Sequence, residues 1–279
     1  MDLLRYNRTR AVNEPHGRAQ GRSTLDSDYT FAATAISGNF RLKEQTERPG
    51  EDVMGQIWKL NPSDFAFLWE ECRRCFYLKV VKGFQRPPAL MPKIFSRIDS
   101  LMKEFFSGKR TRDVLPTLPE GIVECSDAWV ESIPFSVTGH KSQFFIRGKL
   151  DTVLRLDNAS YAIIDFKTSE TKSAHNLLYA RQLNAYALGT ENAVPGKLLF
   201  KPVTRLGLVV YEPKIFSIAP RGKGSLEGSM TWIDIPRNDR QFLDFISEVL
   251  DLLERAAPPP SSPRCQWCDY RAESRRTRF

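Results

Sequence analysis

Apolar positions at Phe65, Leu68, Trp69, Cys72 and Phe76 recur at helical spacing behind Ser63, which reads as an N-cap. They predict an amphipathic helix whose cysteines lie on or near a core face. The segment RPPAL breaks that element. Phe95, Ile98, Leu101, Met102 and Phe105 then predict a second helix from about Pro92 to Ser107, carrying Asp99 and Glu104. From Gly121 to Lys167 the period becomes that of strands. GIVECSDAWV, IPFSVTG, SQFFIRGKLDTVLRL and SYAIIDFKT read as an antiparallel meander with a turn at Asp157 to Ala159. A helix from about Ser173 to Leu188 follows, then a strand RLGLVVYEP, a weaker strand KIFSIA and a strand TWIDI. The helix from about Asn238 to Ala256 sets Phe242, Phe245, Ile246, Val249, Leu252 and Leu253 on one face and stops at PPPSSP. The mixture predicts an α/β fold. Residues 1–55 lack sustained periodicity and read as a disordered or irregular leader, leaving 56–279 as a single domain with a cysteine-bearing tail over 258–279.

Charge adds a candidate partner. Lys and Arg number 41 against 33 acidic residues, a formal net charge of +8, which favours a polyanion over a small acidic metabolite. Residues 1–55 are neutral in sum, whereas Arg73 to Arg112 holds eleven basic side chains against Asp99 and Glu104. Such a stretch is either a groove that tracks a nucleic-acid backbone or a solvated face. No apolar run approaches the roughly 20 residues of a membrane span, and the polar opening MDLLRYNRTR is not a signal peptide. The chain is therefore expected in the cytoplasm, where its five cysteines are metal ligands or buried thiols rather than disulfides.

The candidate chemistry lies in GKLDTVLRLDNASYAIIDFKTS. A strand alternates its side chains, so Asp165 and Lys167 share a face while Phe166 points into the core. Pairing across the Asp157 turn lets Asp151 reach the same sheet end. Two carboxylates with the Phe166 backbone carbonyl make an all-oxygen site suited to Mg²⁺ or Mn²⁺. Lys167 would orient the attacking oxygen and offset charge on a phosphorane-like transition state. Glu170-Thr-Lys172 and Glu212-Pro-Lys214 repeat the spacing, but Asp165 alone follows an apolar strand with a second strand bearing Gly148 and Asp151 upstream.

Gly148, Asp151, Asp165, Lys167 and Thr168, followed by Gln182 and Tyr186 on a helix, resemble the RecB-like branch of the PD-(D/E)XK nuclease superfamily. The resemblance implies a restriction-endonuclease-like core, a mixed central sheet flanked by helices. It implies metal-dependent hydrolysis of DNA, with exonucleolytic cutting as one mode and catalytic roles for Asp151, Asp165, Lys167, Gln182 and Tyr186. Gln182 and Tyr186, four apart, would lean from one helix face toward the metal or the scissile phosphate. RecB-like nucleases add a His or acidic ligand from a helix before the core strands. His16, His140 and His175 are not on that helix, so Asp99 is the first candidate and Glu104 the second. The alternative to the enzyme is a non-catalytic nucleic-acid-binding or partner-docking module on the same fold. GxxxxGK[ST] is absent, so unwinding would fall to a helicase or repair partner.

Cys72 with Cys75, and Cys265 with Cys268, form two CxxC pairs at opposite ends of the core sequence. Two such pairs complete a four-sulfur site. ECRRCFYLKV and CQWCDYR resemble parts of the 4Fe-4S nuclease domains of AddB and of certain CRISPR-adaptation proteins, which use one cysteine before the core and three after it. This chain lacks the last of those and has Cys75 in addition. The resemblance favours a 4Fe-4S cluster, while the paired spacing suits Zn²⁺. Cys125, within a strand run, reads as core.

Overall fold

The computed structural model describes residues 55–88, 91–169 and 176–277. The expected leader up to residue 54, His16, His175, Glu170-Thr-Lys172 and the start of the helix expected from Ser173 lie outside these residues.

The chain enters through β1 (Ile57–Leu60) and turns at Asn61, with Pro62 preset for the first helical turn. The one helix expected from Ser63 through Phe76 is three pieces: α1 (Pro62–Ala66), α2 (Leu68–Glu71) and α3 (Arg73–Lys82). Phe67 leaves the helical region, and Cys72 is fully extended at φ −163°, ψ 109°. The apolar positions still turn inward. Phe65, Trp69 and Phe76 are buried, with Trp69 edge-on to Phe76 at 5.1 Å. The following α4 (Lys93–Phe106) occupies the expected span, but its buried positions are Lys103 and Phe106. Phe95, Leu101 and Phe105 of its expected apolar stripe are exposed, as is Ile94. A short α5 (Thr111–Val114) leads into the sheets.

The strands are β2 (Gly121–Ser126), β3 (Trp129–Glu131), β4 (Phe135–Ser136), β5 (Gln143–Lys149), β6 (Thr152–Leu156), β7 (Tyr161–Thr168), β8 (Val203–Ala219) and β9 (Lys223–Ile235). They form two sheets, not the single meander expected. In the first, β5 pairs in parallel with β1 and antiparallel with β3 and β4. The second has the order β2-β6-β7-β8-β9, antiparallel except for the parallel pair β7–β8. A parallel pair needs a crossover, which α6 (Asn176–Glu191) supplies. The run SQFFIRGKLDTVLRL breaks at Leu150–Asp151, where the chain passes from one sheet to the other. The turn after Asp157 forms as expected, with Ala159 at φ 61°.

The centre of the second sheet, β6, β7 and the first half of β8, is covered on both faces, which explains the nearly continuous apolar runs there. Val153, Ile163, Leu206 and Leu208 join Leu183 of α6 and Phe245, Ile246 and Val249 of α7 (Asp239–Leu253). Leu154, Ala162, Ile164, Phe166 and Val209 face Phe106 and Leu118 instead. Asn238 caps α7 by accepting the Gln241 N–H at 2.9 Å. The segments expected as separate strands RLGLVVYEP and KIFSIA are one strand, because β8 and β9 stay paired out to Ala219 and Lys223 as a long hairpin. Beyond PPPSSP the tail forms α8 (Gln266–Arg276). Mixed sheets flanked by helices agree with the expected α/β architecture. Among the described residues no helix is long and apolar enough to cross a membrane.

Candidate active site

Asp165 lies near the end of β7 with its side chain on the α6 side of the sheet, and Phe166 points the other way, against Phe106 at 5.3 Å. Gln182 of α6 donates its Nε2–H to Asp165 Oδ1 at 3.0 Å. Lys167 forms an ion pair with Oδ2 of the same carboxylate and sits 4.8 Å from the Tyr179 ring centroid. Burial pushes the Asp165 carboxyl up to about 6, with Lys167 opposing and Asp151 adding to the rise. Burial works against the Lys167 charge too, but the Asp165 carboxylate more than compensates and raises the ammonium pKa. Among the described residues, Gln182 Oε1 is buried without a hydrogen-bond partner, and Asp165 Oδ2 has its ion pair but no aligned hydrogen bond. Buried oxygens left in this state are costly and are open to a cation.

Asp151 occupies the break between β5 and β6, so the change of sheet is what brings it to β7. Its Oδ2 accepts the Phe166 N–H at 3.1 Å. The N–H and C=O of one strand residue leave on the same side, so the Phe166 carbonyl is directed toward Asp151 as well. Oδ1 of Asp151 receives the Lys103 ammonium at 2.9 Å. That ammonium also reaches Asp99 Oδ2 at 2.9 Å and Asp127 Oδ1 at 3.0 Å. Burial opposes charge on Lys103, and its attraction to Asp151 and the other carboxylates raises its pKa despite that. Sequence reading missed Lys103 and Asp127. The available signal was Lys103 one helical turn after Asp99, a pairing easily taken for a surface ion pair. Asp99 thus joins the site through Lys103, while Glu104 is exposed.

Tyr186, expected to lean toward the metal or the scissile phosphate, has its hydroxyl bound to the backbone instead. Its hydroxyl donates to the Lys149 carbonyl at 2.7 Å and so fixes the end of β5 immediately before Asp151. Gly148 permits that approach: a Cβ there would stand 2.9 Å from Pro62 Cδ and 3.2 Å from the Tyr186 hydroxyl. The His140 ring bonds the Ser247 hydroxyl at 2.8 Å and faces Glu254 at 3.6 Å. The basic stretch from Arg73 to Arg112 is partly neutralised, with Arg73, Lys79, Arg86, Lys103 and Arg110 each in an ion pair.

The four cysteines converge. Cys72 Sγ lies 3.9 Å from Cys268 Sγ, and Cys75 Sγ lies 3.7 Å from Cys265 Sγ and 3.6 Å from Cys268 Sγ. Arg86 donates to Cys265 Sγ at 3.2 Å. Burial pushes the Cys72 thiol up, but backbone hydrogen bonds from Ser262 and Cys75 outweigh it and bring the thiol down to about 7. Cys125 lies in β2 outside the cluster.

The profile of the PD-(D/E)XK nuclease superfamily matches residues 109–272, a span that includes Asp151, Asp165, Lys167, Gln182, Tyr186, Cys265 and Cys268. No curated protein matches the chain. Among solved structures, that of SSO0001 is similar over 77% of this chain and 84% of its own, at 13% identity and a TM-score of 0.42.

Proposed function

This chain belongs to the PD-(D/E)XK nuclease superfamily, a group of metal-dependent nucleases, and we propose that it hydrolyses DNA phosphodiester bonds with Mg²⁺ or Mn²⁺ at the Asp151–Asp165–Lys167 cluster. The observation that carries this reading is the buried Asp165 carboxylate held by Gln182 and Lys167 beside Asp151. Asp151, Asp165 and the Phe166 carbonyl form an oxygen donor set suited to a hard cation, and the unpartnered buried oxygens fit that use. When bound, such a cation neutralises phosphate charge and makes a water more acidic.

The chain's own groups supply the rest. Gln182 fixes the orientation of the Asp165 carboxylate. Lys167 stays an ammonium because of Asp165, so it can donate to a phosphate oxygen or to the attacking water. Tyr186 and Gly148 position the end of β5, from which the chain passes to Asp151. Water is the nucleophile, and no side chain has to form a covalent intermediate. We assign the chain to the RecB-like branch on Gly148, Asp151, Asp165, Lys167, Gln182 and Tyr186, with unwinding left to a helicase or repair partner. We place it in the cytoplasm, where clustered free thiols persist.

The test is cleavage of end-labelled single- and double-stranded DNA with Mg²⁺ or Mn²⁺, comparing the native chain with Asp165→Ala and Lys167→Ala. Metal-dependent cutting should fall at least ~100-fold in both variants, and the product ladder separates end-directed from internal cleavage. DNA binding with no metal-dependent cutting in any of the three proteins overturns the reading in favour of a binding module.

A further inference from the structure

The cysteine quartet is built from two copies of one local device. Cys72 and Cys265 are each extended residues at the N-cap of a helix, at φ −163° and −83°, and Cys75 and Cys268 follow on the first turns of α3 and α8. In each copy the chain folds back over the first cysteine: the Phe76 N–H reaches the Cys72 carbonyl at 3.0 Å, and the Asp269 N–H, four residues on in the same way, reaches that of Cys265 at 3.1 Å. Each CxxC therefore presents two sulfurs from one tight turn, and the two turns face each other.

The sulfur spacing discriminates between the two occupants that the sequence leaves open. Four thiolates about 2.3 Å from one central ion stand at the corners of a tetrahedron with edges of about 3.8 Å. The sulfur–sulfur distances of 3.6, 3.7 and 3.9 Å match that edge, and all four sulfurs lie within 4.8 Å of one another. In a 4Fe-4S cube each thiolate binds its own iron at a separate corner, which spreads the sulfurs to roughly 6 Å. The cluster implied by the resemblance does not fit this cage. The extra Cys75, which the AddB-like arrangement lacks, is the residue that makes the short contacts to both Cys265 and Cys268.

We infer that Cys72, Cys75, Cys265 and Cys268 hold a single zinc ion, which clasps α3 to α8, and not an iron–sulfur cluster. Four thiolates around a divalent ion leave a net charge of −2, and Arg86, hydrogen-bonded to Cys265 Sγ, offsets part of it. With all four positions taken by protein there is no open coordination site, so the ion is structural.

The test uses the full chain, expressed with both iron and zinc supplied and purified without oxygen. Elemental analysis should give one zinc per chain with no acid-labile sulfide and no absorption near 400 nm, and zinc-edge absorption fine structure should show one shell of four sulfurs at about 2.3 Å. Cys75→Ser should lose the zinc, while Cys125→Ser should keep it. Iron with stoichiometric sulfide, a single iron, or four thiols with no metal would each overturn the assignment. None of these readouts depends on DNA cleavage, so zinc content and the hydrolytic reading stand or fall separately.

Discussion

Lys103 gathers Asp99, Asp127 and Asp151 around one buried ammonium, and Asp151 belongs to the proposed metal-binding set. An ammonium beside that carboxylate does part of what a cation would do there. Lys103→Met removes the charge while keeping most of the stem, leaving three neighbouring carboxylates without it. The expected cost is about 3 kcal/mol in chelator, because an uncompensated charge group is left partly buried. Added Mn²⁺ should recover part of that loss, since a divalent ion at Asp151 supplies the missing positive charge. Urea unfolding with EDTA and with Mn²⁺ measures both quantities. An equal loss in the two conditions would separate Lys103 from the metal-binding carboxylates.

The decisive feature among the elements is the interruption at Leu150–Asp151, and Gly148 and Tyr186 brace it from the β5 side. Gly148→Ala drives a methyl group into Pro62 and the Tyr186 hydroxyl, and should cost about 1–3 kcal/mol. Tyr186→Phe loses one hydrogen bond, at about 1 kcal/mol. Thermal unfolding of the two variants checks the order, and a harmless Gly148→Ala would show that β5 is not pinned there. The sequence legibly carries β7, because an apolar run ending Asp-x-Lys with alternating sides leaves little freedom, and it likewise carries α7 through its apolar spacing and the span of α4, though not the face that α4 buries. It does not carry the breaks. Cys72 lies on the apolar stripe, so periodicity continues a helix that the backbone abandons at that residue. Nothing in KLDT distinguishes a strand that continues from one that changes sheets. Lys103 escapes because a lysine reads as solvated until its carboxylates, which come from three different segments, are brought around it.

Over the whole molecule, an early and a late segment of the described chain meet at the cysteine clasp, with Cys75 and Cys265 separated by 190 positions in sequence. Joining such distant segments removes much chain entropy from the unfolded state, so the clasp stabilises the fold as a long-range cross-link. Cys265→Ala should therefore loosen α3 and α8 together while β6 and β7, held by both core layers, remain protected. Hydrogen exchange followed by mass spectrometry reads this, and loosening confined to α8 would mean that α3 is held by its own packing. The clasp also sets an order of events during translation. The Cys72–Cys75 turn is made before β2 to β9, whereas its partners in the Cys265–Cys268 turn arrive only after all of those strands. Until then the first helices wait with two bare thiols, and the ion that secures them can enter its complete cage only once both sheets have been synthesised.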